Sequence, residues 1–271
     1  NLFANKNTQI IYTGKLPDFF DAELLRRIYG YKFDLLKVEN TSAISKFNGS
    51  TIFISQKEDI FNFDLRSTID FSINIHALLG SILVVNGEHN ESYIPEIQHV
   101  RRRETIAMTP ANSLAALKFL IEPSSFDATK NKKETSKTLV LDSIKAITGT
   151  NTKALVGSSG LSIQYAILMG LIHDALENHK GKAIKIVVPP NCYGGTNDQA
   201  RRVAACIKNV EILDLPVDGE HDMVESIDLV LNKIANENGI PFIIAEIPTN
   251  PRVEVPNLKK LRDVLTAVSY T

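Results

Sequence analysis

A chain of 271 residues with 44% hydrophobic content has ample apolar side chains for a core and room for one large or two ordinary domains. Its 30 Lys and Arg meet 31 Asp and Glu, a formal net charge of −1, so no global charge argues for nucleic acid or an acidic membrane surface as partner. The two cysteines, Cys192 and Cys206, lack metal-ligand spacing and read as free thiols. With neither a bilayer-length apolar run nor a signal peptide, the expected location is the cytoplasm.

In chain order, residues 9–12 predict a strand before a Thr13-Gly14 turn. A helix follows, capped by Asp18 or Asp21 and carrying Phe20, Leu24, Leu25 and Ile28 as far as Gly30. Residues 50–55 and 81–86 predict two more buried strands, the latter closed by the turn pair Asn86-Gly87. Between them, the apolar spacing over 63–79 fits a helix. His76, His89 and His99 are scattered and read as surface or core residues rather than metal ligands. Arg101-Arg102-Arg103 reads as a solvated run near a domain boundary.

Residues 1–105 are thus expected to form a small α/β domain whose role the sequence does not disclose. Residues 106–137 connect it onward. They begin with a helix from Thr109-Pro110-Ala111 that carries Leu114, Leu117, Leu120 and Ile121 and stops at Pro123; a polar loop over 124–137 follows. An amphipathic helix over 138–147 ends at Gly149. From there strands are expected at 154–157, 184–188, 210–215 and 242–247, alternating with helices over 161–179, 196–207, 222–235 and 258–268. Apolar strands separated by helices predict a mostly parallel sheet covered on both faces, so 138–271 is read as the principal α/β domain.

Three loops of this part carry the candidate chemistry. Ser158-Ser159-Gly160-Leu161 stands between a strand and a long helix, where unpaired amides and the helix dipole stabilise a phosphate. It lacks the G-x-G-x-x-G dinucleotide pattern and the Walker lysine. Tyr193-Gly194-Gly195-Thr196 follows a strand at its carboxyl end, where an aromatic ring can lie against a planar heterocycle. Glu246 to Pro251 ends the next strand at the same edge, with Asn250 between two prolines as donor and acceptor. Glu246 reads either as a partnered structural carboxylate or as one tuned for proton work. Taken singly, each loop reads as a structural turn.

In this order and spacing, the S-S-G-L, Y-G-G-T and E-x-P-T-N-P loops resemble the pyridoxal-phosphate enzymes of cysteine and methionine metabolism. That family includes cystathionine γ-synthase, the cystathionine lyases and methionine γ-lyase. The resemblance covers residues 138–268, about half of the chain. It implies the aspartate-aminotransferase fold (pyridoxal-phosphate fold type I), here incomplete and preceded by the smaller α/β domain. It also implies a cytoplasmic homodimer or homotetramer with pyridoxal 5′-phosphate as cofactor and a small amino acid as substrate. The implied activity is that of a carbon–sulfur lyase or a cystathionine γ-synthase-like transferase, with β/γ-elimination or γ-replacement as its transsulfuration chemistry. Ser159, Gly160 and Leu161 are the implied phosphate-binding residues, Tyr193 the ring-stacking residue and Asn250 the partner near the ring oxygen.

The sequence also departs from the family pattern. Where the family has a tyrosine–arginine element for a neighbouring subunit's phosphate, this chain reads Lys130-Asn131-Lys132-Lys133-Glu134-Thr135, and a lysine replaces that arginine only as a point charge. The resemblance implies that the Schiff-base lysine and the aspartate facing the pyridine nitrogen lie beyond Thr271; Lys259 and Lys260 fall within a predicted helix and are poor substitutes. A chain ending there is expected to be an inactive fragment. An aminotransferase of the same fold, or a catalytically dead relative that binds a ligand or regulates, are the alternatives.

Overall fold

The structure, a computed structural model, describes residues 7–18, 20–56, 67–76, 79–103, 108–121, 133–216, 219–249 and 253–267. The chain divides into two compact units. One comprises Asn1–Ala22 with Tyr31–Ile163, the other Glu23–Gly30 with Gln164–Thr271. The architecture is α/β with mostly parallel strands. No helix among the described residues is long and apolar enough to cross a membrane.

The first unit is built on β1 (Thr8–Tyr12), β2 (Asp34–Lys37), β3 (Ser50–Ser55), β4 (Phe71–His76) and β5 (Gly80–Val85). They form one sheet in the order β2-β1-β3-β4-β5. The first four run parallel, with Ile10 opposite Ile52 and Ile52 opposite Phe71, and β5 returns antiparallel to β4. All six residues of β3 are buried, as a strand covered on both faces requires. Ile11, Val38, Ile44, Phe53 and Ile69 make one core cluster.

Residues 71–76 overturn the helix expected over 63–79. Phe71-Ser72-Ile73-Asn74-Ile75-His76 alternates apolar and polar with a period of two, which suits a pleated strand. Leu79 and Gly80, the latter at φ 117°, then lead into β5. Residues 63–66 and 77–78 of that expectation lie outside the described residues.

Helix α1 (Ala22–Arg27) follows β1. Helix α2 (Tyr93–Arg103) carries the arginine run in its last turn, a helix that the sequence reading missed. Helices α3 (Pro110–Ile121) and α4 (Lys133–Thr148) follow. Ala116 of α3 packs with Leu79 under Ile82 and Met108. Residues 133–137 of the expected polar loop are helical, and 124–132 lie outside the described residues.

The second unit is a three-layer sandwich. Its strands β6 (Ile184–Val188), β7 (Val210–Asp214) and β8 (Ile240–Ile243) are all parallel, in the order β7-β6-β8. On one face, Ile184 and Ile186 meet Leu168, Ile172 and Ala175 of α5 (Gly160–Asn178) and Ala200 and Val203 of α6 (Gly194–Cys206). On the other, Val187 meets Val224, Ile227, Leu231 and Ile234 of α7 (Met223–Asn236) and Leu261 of α8 (Leu258–Ala267). Helix α7 starts in a capping box, with Asp222 accepting from the Val224 and Glu225 amides while Glu225 reaches back to the Asp222 amide. Ile184, Ile186 and Val187 have no exposed surface, and each such burial is worth about 1.5–3 kcal/mol.

The segment Glu23–Gly30 belongs to this unit although it lies early in the chain. Tyr29 packs against the α5–α6 core cluster, and Arg27 pairs with Glu177 of α5 at 2.7 Å. Two sequence expectations need correction here. Residues 154–157 form no strand. Leu155 and Val156 are 67% and 45% exposed, and without a neighbouring strand so short a run has no ladder to offset the entropy of extension. Strand β8 begins two residues earlier than expected and stops at Ile243, leaving Ile244 to Glu246 as a loop.

Candidate functional site

Strand β6 lies between β7 and β8, so the order reverses at β6. In parallel α/β sheets, such a reversal opens a crevice at the carboxyl ends of the strands, because the helices that follow depart to opposite faces. Here α6 after β6 packs on one face and α8 after β8 on the other. The loops leaving these two strands therefore define the candidate site, and both carry residues that the sequence singled out.

After β6 the chain turns through Pro189 to Tyr193 and enters α6 at Gly194. Tyr193 is the N-cap residue, makes no side-chain capping bond, and is 51% exposed. Its backbone N–H instead donates to the Glu246 carboxylate, 3.1 Å from each oxygen. The Thr196 hydroxyl stands 3.3 Å from Glu246 Oε1 and 3.3 Å from Gln164 Oε1. Behind it, Gln164 Nε2 donates to Gln199 Oε1 at 3.1 Å, and Gln199 is fully buried. Glu246 is thus a partnered carboxylate, with a backbone amide and a hydroxyl as its donors at a helix start.

The same carboxylate acts on Cys192. Burial, then the Glu246 charge, push the thiol above its ordinary range, so it is a poor nucleophile at neutral pH. Farther along α6, Arg201 pairs with Asp214 at the end of β7 and donates from Nε to Asn197 Oδ1 at 2.6 Å, bracing the helix against the sheet.

Ser159 immediately precedes α5, and Gly160 and Leu161 open its first turn. Ser159 Oγ accepts from the Ser162 amide at 3.1 Å, and Ser162 Oγ accepts from the Ser159 amide at 3.0 Å, a reciprocal cap built of two serines. Gly160 is exposed, and a Cβ added to it would meet nothing within 4 Å. Asn250 lies outside the described residues. Lys259 and Lys260 are exposed on α8, with the Lys260 amide capped by Asn257 Oδ1 at 3.1 Å.

Among the described residues, no three or more His, Cys, Asp or Glu are grouped to hold a metal ion. Of the three scattered histidines, His89 pairs with Asp70 and His76 Nδ1 accepts the Leu79 amide. Sequence reasoning missed Gln164, Thr196 and Gln199 as a polar group. The available signal was Gln164 inside an otherwise apolar helical stretch. Comparisons with protein-family models, with curated proteins and with solved structures gave no match.

Proposed function

We propose that the second unit is cofactor-binding and belongs to a pyridoxal-phosphate-dependent enzyme acting on a sulfur-containing amino acid, by β/γ-elimination or γ-replacement. One observation carries this reading: the exposed ring of Tyr193 stands at the carboxyl end of β6 while Glu246, arriving from β8, holds its backbone. An aromatic face presented at a strand-order reversal and fixed from the neighbouring strand suits a planar heterocycle.

Within the second unit, Tyr193 would stack on the cofactor's ring. By resemblance, Ser159, Gly160 and Leu161 would take its phosphate and Asn250 would complete the set. When bound, the cofactor supplies an electron sink for a carbanion at the substrate α-carbon. This chain's residues bind and orient: Tyr193 fixes the ring plane, Glu246 fixes Tyr193, and Thr196 with Gln164 and Gln199 supports Glu246 from behind.

The test is binding of pyridoxine 5′-phosphate, which has the ring and phosphate but no aldehyde, measured by titration calorimetry against inorganic phosphate. Tighter binding than phosphate is expected. Stacking worth about 1 kcal/mol makes Tyr193→Ala weaken binding about fivefold, with Tyr193→Phe close to the parent. Binding no tighter than that of inorganic phosphate, or equal affinities for parent and Tyr193→Ala, would overturn the reading.

A further inference from the structure

A helix that opens Tyr193-Gly194-Gly195 starts poorly. Tyrosine is a weak N-cap, and each glycine costs backbone entropy, about 1 kcal/mol relative to alanine. Yet this start carries the ring on which the proposed site depends. The missing cap comes from 53 residues away, where both Glu246 oxygens receive the Tyr193 amide and Oε1 also stands 3.3 Å from the Thr196 hydroxyl. Thr196 is buried, so its side of the clamp is sheltered from water.

We infer that Glu246 is the positioning residue of the ring-bearing loop, a cap supplied from a distant loop of the same chain that sets where the Tyr193 ring lies. The consequence for ligand capture rests on the cofactor reading above; the clamp itself does not. The carboxylate offers two acceptor oxygens to the Tyr193 amide, whereas a neutral amide isostere offers one. The Glu246 charge also faces Cys192, whose thiol thus reports on the carboxylate without any ligand present.

The experiment compares the parent chain with Glu246→Gln and Glu246→Ala. It reads alkylation of Cys192 relative to Cys206, hydrogen exchange at the Tyr193 amide, and affinity for pyridoxine 5′-phosphate. In Glu246→Ala, exchange at Tyr193 is expected to rise about tenfold or more as the local opening cost falls. Cys192 should alkylate about three to ten times faster relative to Cys206, because thiolate is more accessible once the opposing charge is gone. Glu246→Gln should show the faster alkylation with most of the amide protection kept, since its one carbonyl oxygen still accepts.

Unchanged exchange and an unchanged cysteine ratio in Glu246→Ala would overturn the clamp. If Glu246→Ala accelerates both cysteines alike, the fold has loosened, and Glu246→Gln decides: a parent-like Cys192 rate there overturns the clamp. Released exchange with unaltered pyridoxine 5′-phosphate affinity leaves the clamp standing and counts against the cofactor reading instead.

Discussion

Both sheets place their first strand inside and send the next two to opposite sides, β2-β1-β3 in the first unit and β7-β6-β8 in the second. Each therefore has a strand-order reversal at its first strand, the feature that opens a crevice in parallel sheets. What stands there differs. After β6, a helix starts past a five-residue loop, and a carboxylate from the loop after β8 closes over its N-cap amide. After β1 come Thr13, Gly14 at φ 71° and Lys15, whose carbonyl accepts Gln56 Nε2 at 2.8 Å. The helix that follows belongs largely to the other unit. The same topology thus offers two crevices, and among the described residues only the second is furnished with a helix terminus, an exposed ring and a charge. A reversal gives the opportunity; the loop residues decide whether it is used.

The first unit concentrates its polar contacts elsewhere. Asp70 accepts the Thr51 amide at 2.7 Å and, on its other oxygen, Asn90 Nδ2 at 2.9 Å, with His89 Nε2 also at 2.9 Å. This ties the turn after β5 to the start of β4. Burial alone would raise the Asp70 carboxyl, but the amides of Thr51 and Asn90 and the His89 ring outweigh it and hold the group below the usual carboxylate range.

If the two units are separate cooperative bodies, the largest effect should come from Ile186→Ala. Removing a fully buried strand residue should cost the second unit about 3 kcal/mol. Hydrogen exchange in β1 and β3 should be unaffected, and equal loss of protection in both sheets would merge the two bodies into one. A smaller loss, about 2 kcal/mol, is expected for Tyr29→Ala, because its half-buried ring packs on the α5–α6 core. It should weaken β6 and leave β1 protected; the reverse pattern would return residues 23–30 to the first unit.

The smallest effect concerns Asp70. Its folded pKa is depressed, so its contribution is fully present above the unfolded value, about 3.9, and is lost as pH falls through the folded value. Urea unfolding of the first unit should therefore weaken below about pH 4. Asp70→Asn should cost about 1 kcal/mol at pH 7 and flatten that acid limb. Identical acid limbs in parent and variant would remove Asp70 from the account.

Where a buried pattern was long and regular, it was legible. The run Ile184-Lys185-Ile186-Val187-Val188 has a length and β-branched content that suit a central parallel strand, and the helices around it followed from their own periodicity. Short patterns failed in both directions. Ala154-Leu155-Val156 looks like a strand but has no ladder, whereas the alternation from Phe71 to His76 was lost inside a longer helical match. The candidate site was readable as separate loops and not as an assembly. Tyr193 and Glu246 both fell at strand ends, but nothing local in either loop specifies that an amide of one meets the carboxylate of the other. That pairing depends on β8 lying beside β6 and ending at Ile243, a matter of register. Gln199 lies among polar and charged residues of its helix, so nothing in the local pattern marks it as fully buried.

The early segment of the second unit has a consequence for how the protein is made. Arg27 meets Glu177, 150 residues later, and Tyr29 needs α5 and α6 before its ring has anything to cover. At about 5–20 residues per second, these side chains wait roughly ten to thirty seconds on a ribosome for their partners, while β1 and β3 can already pair. A later part of the nascent chain thus completes its core with a much earlier one. A gene cut at residue 138 would deliver the three strands of the second sheet without Tyr29, so its product should be a better client for chaperones than the uncut chain.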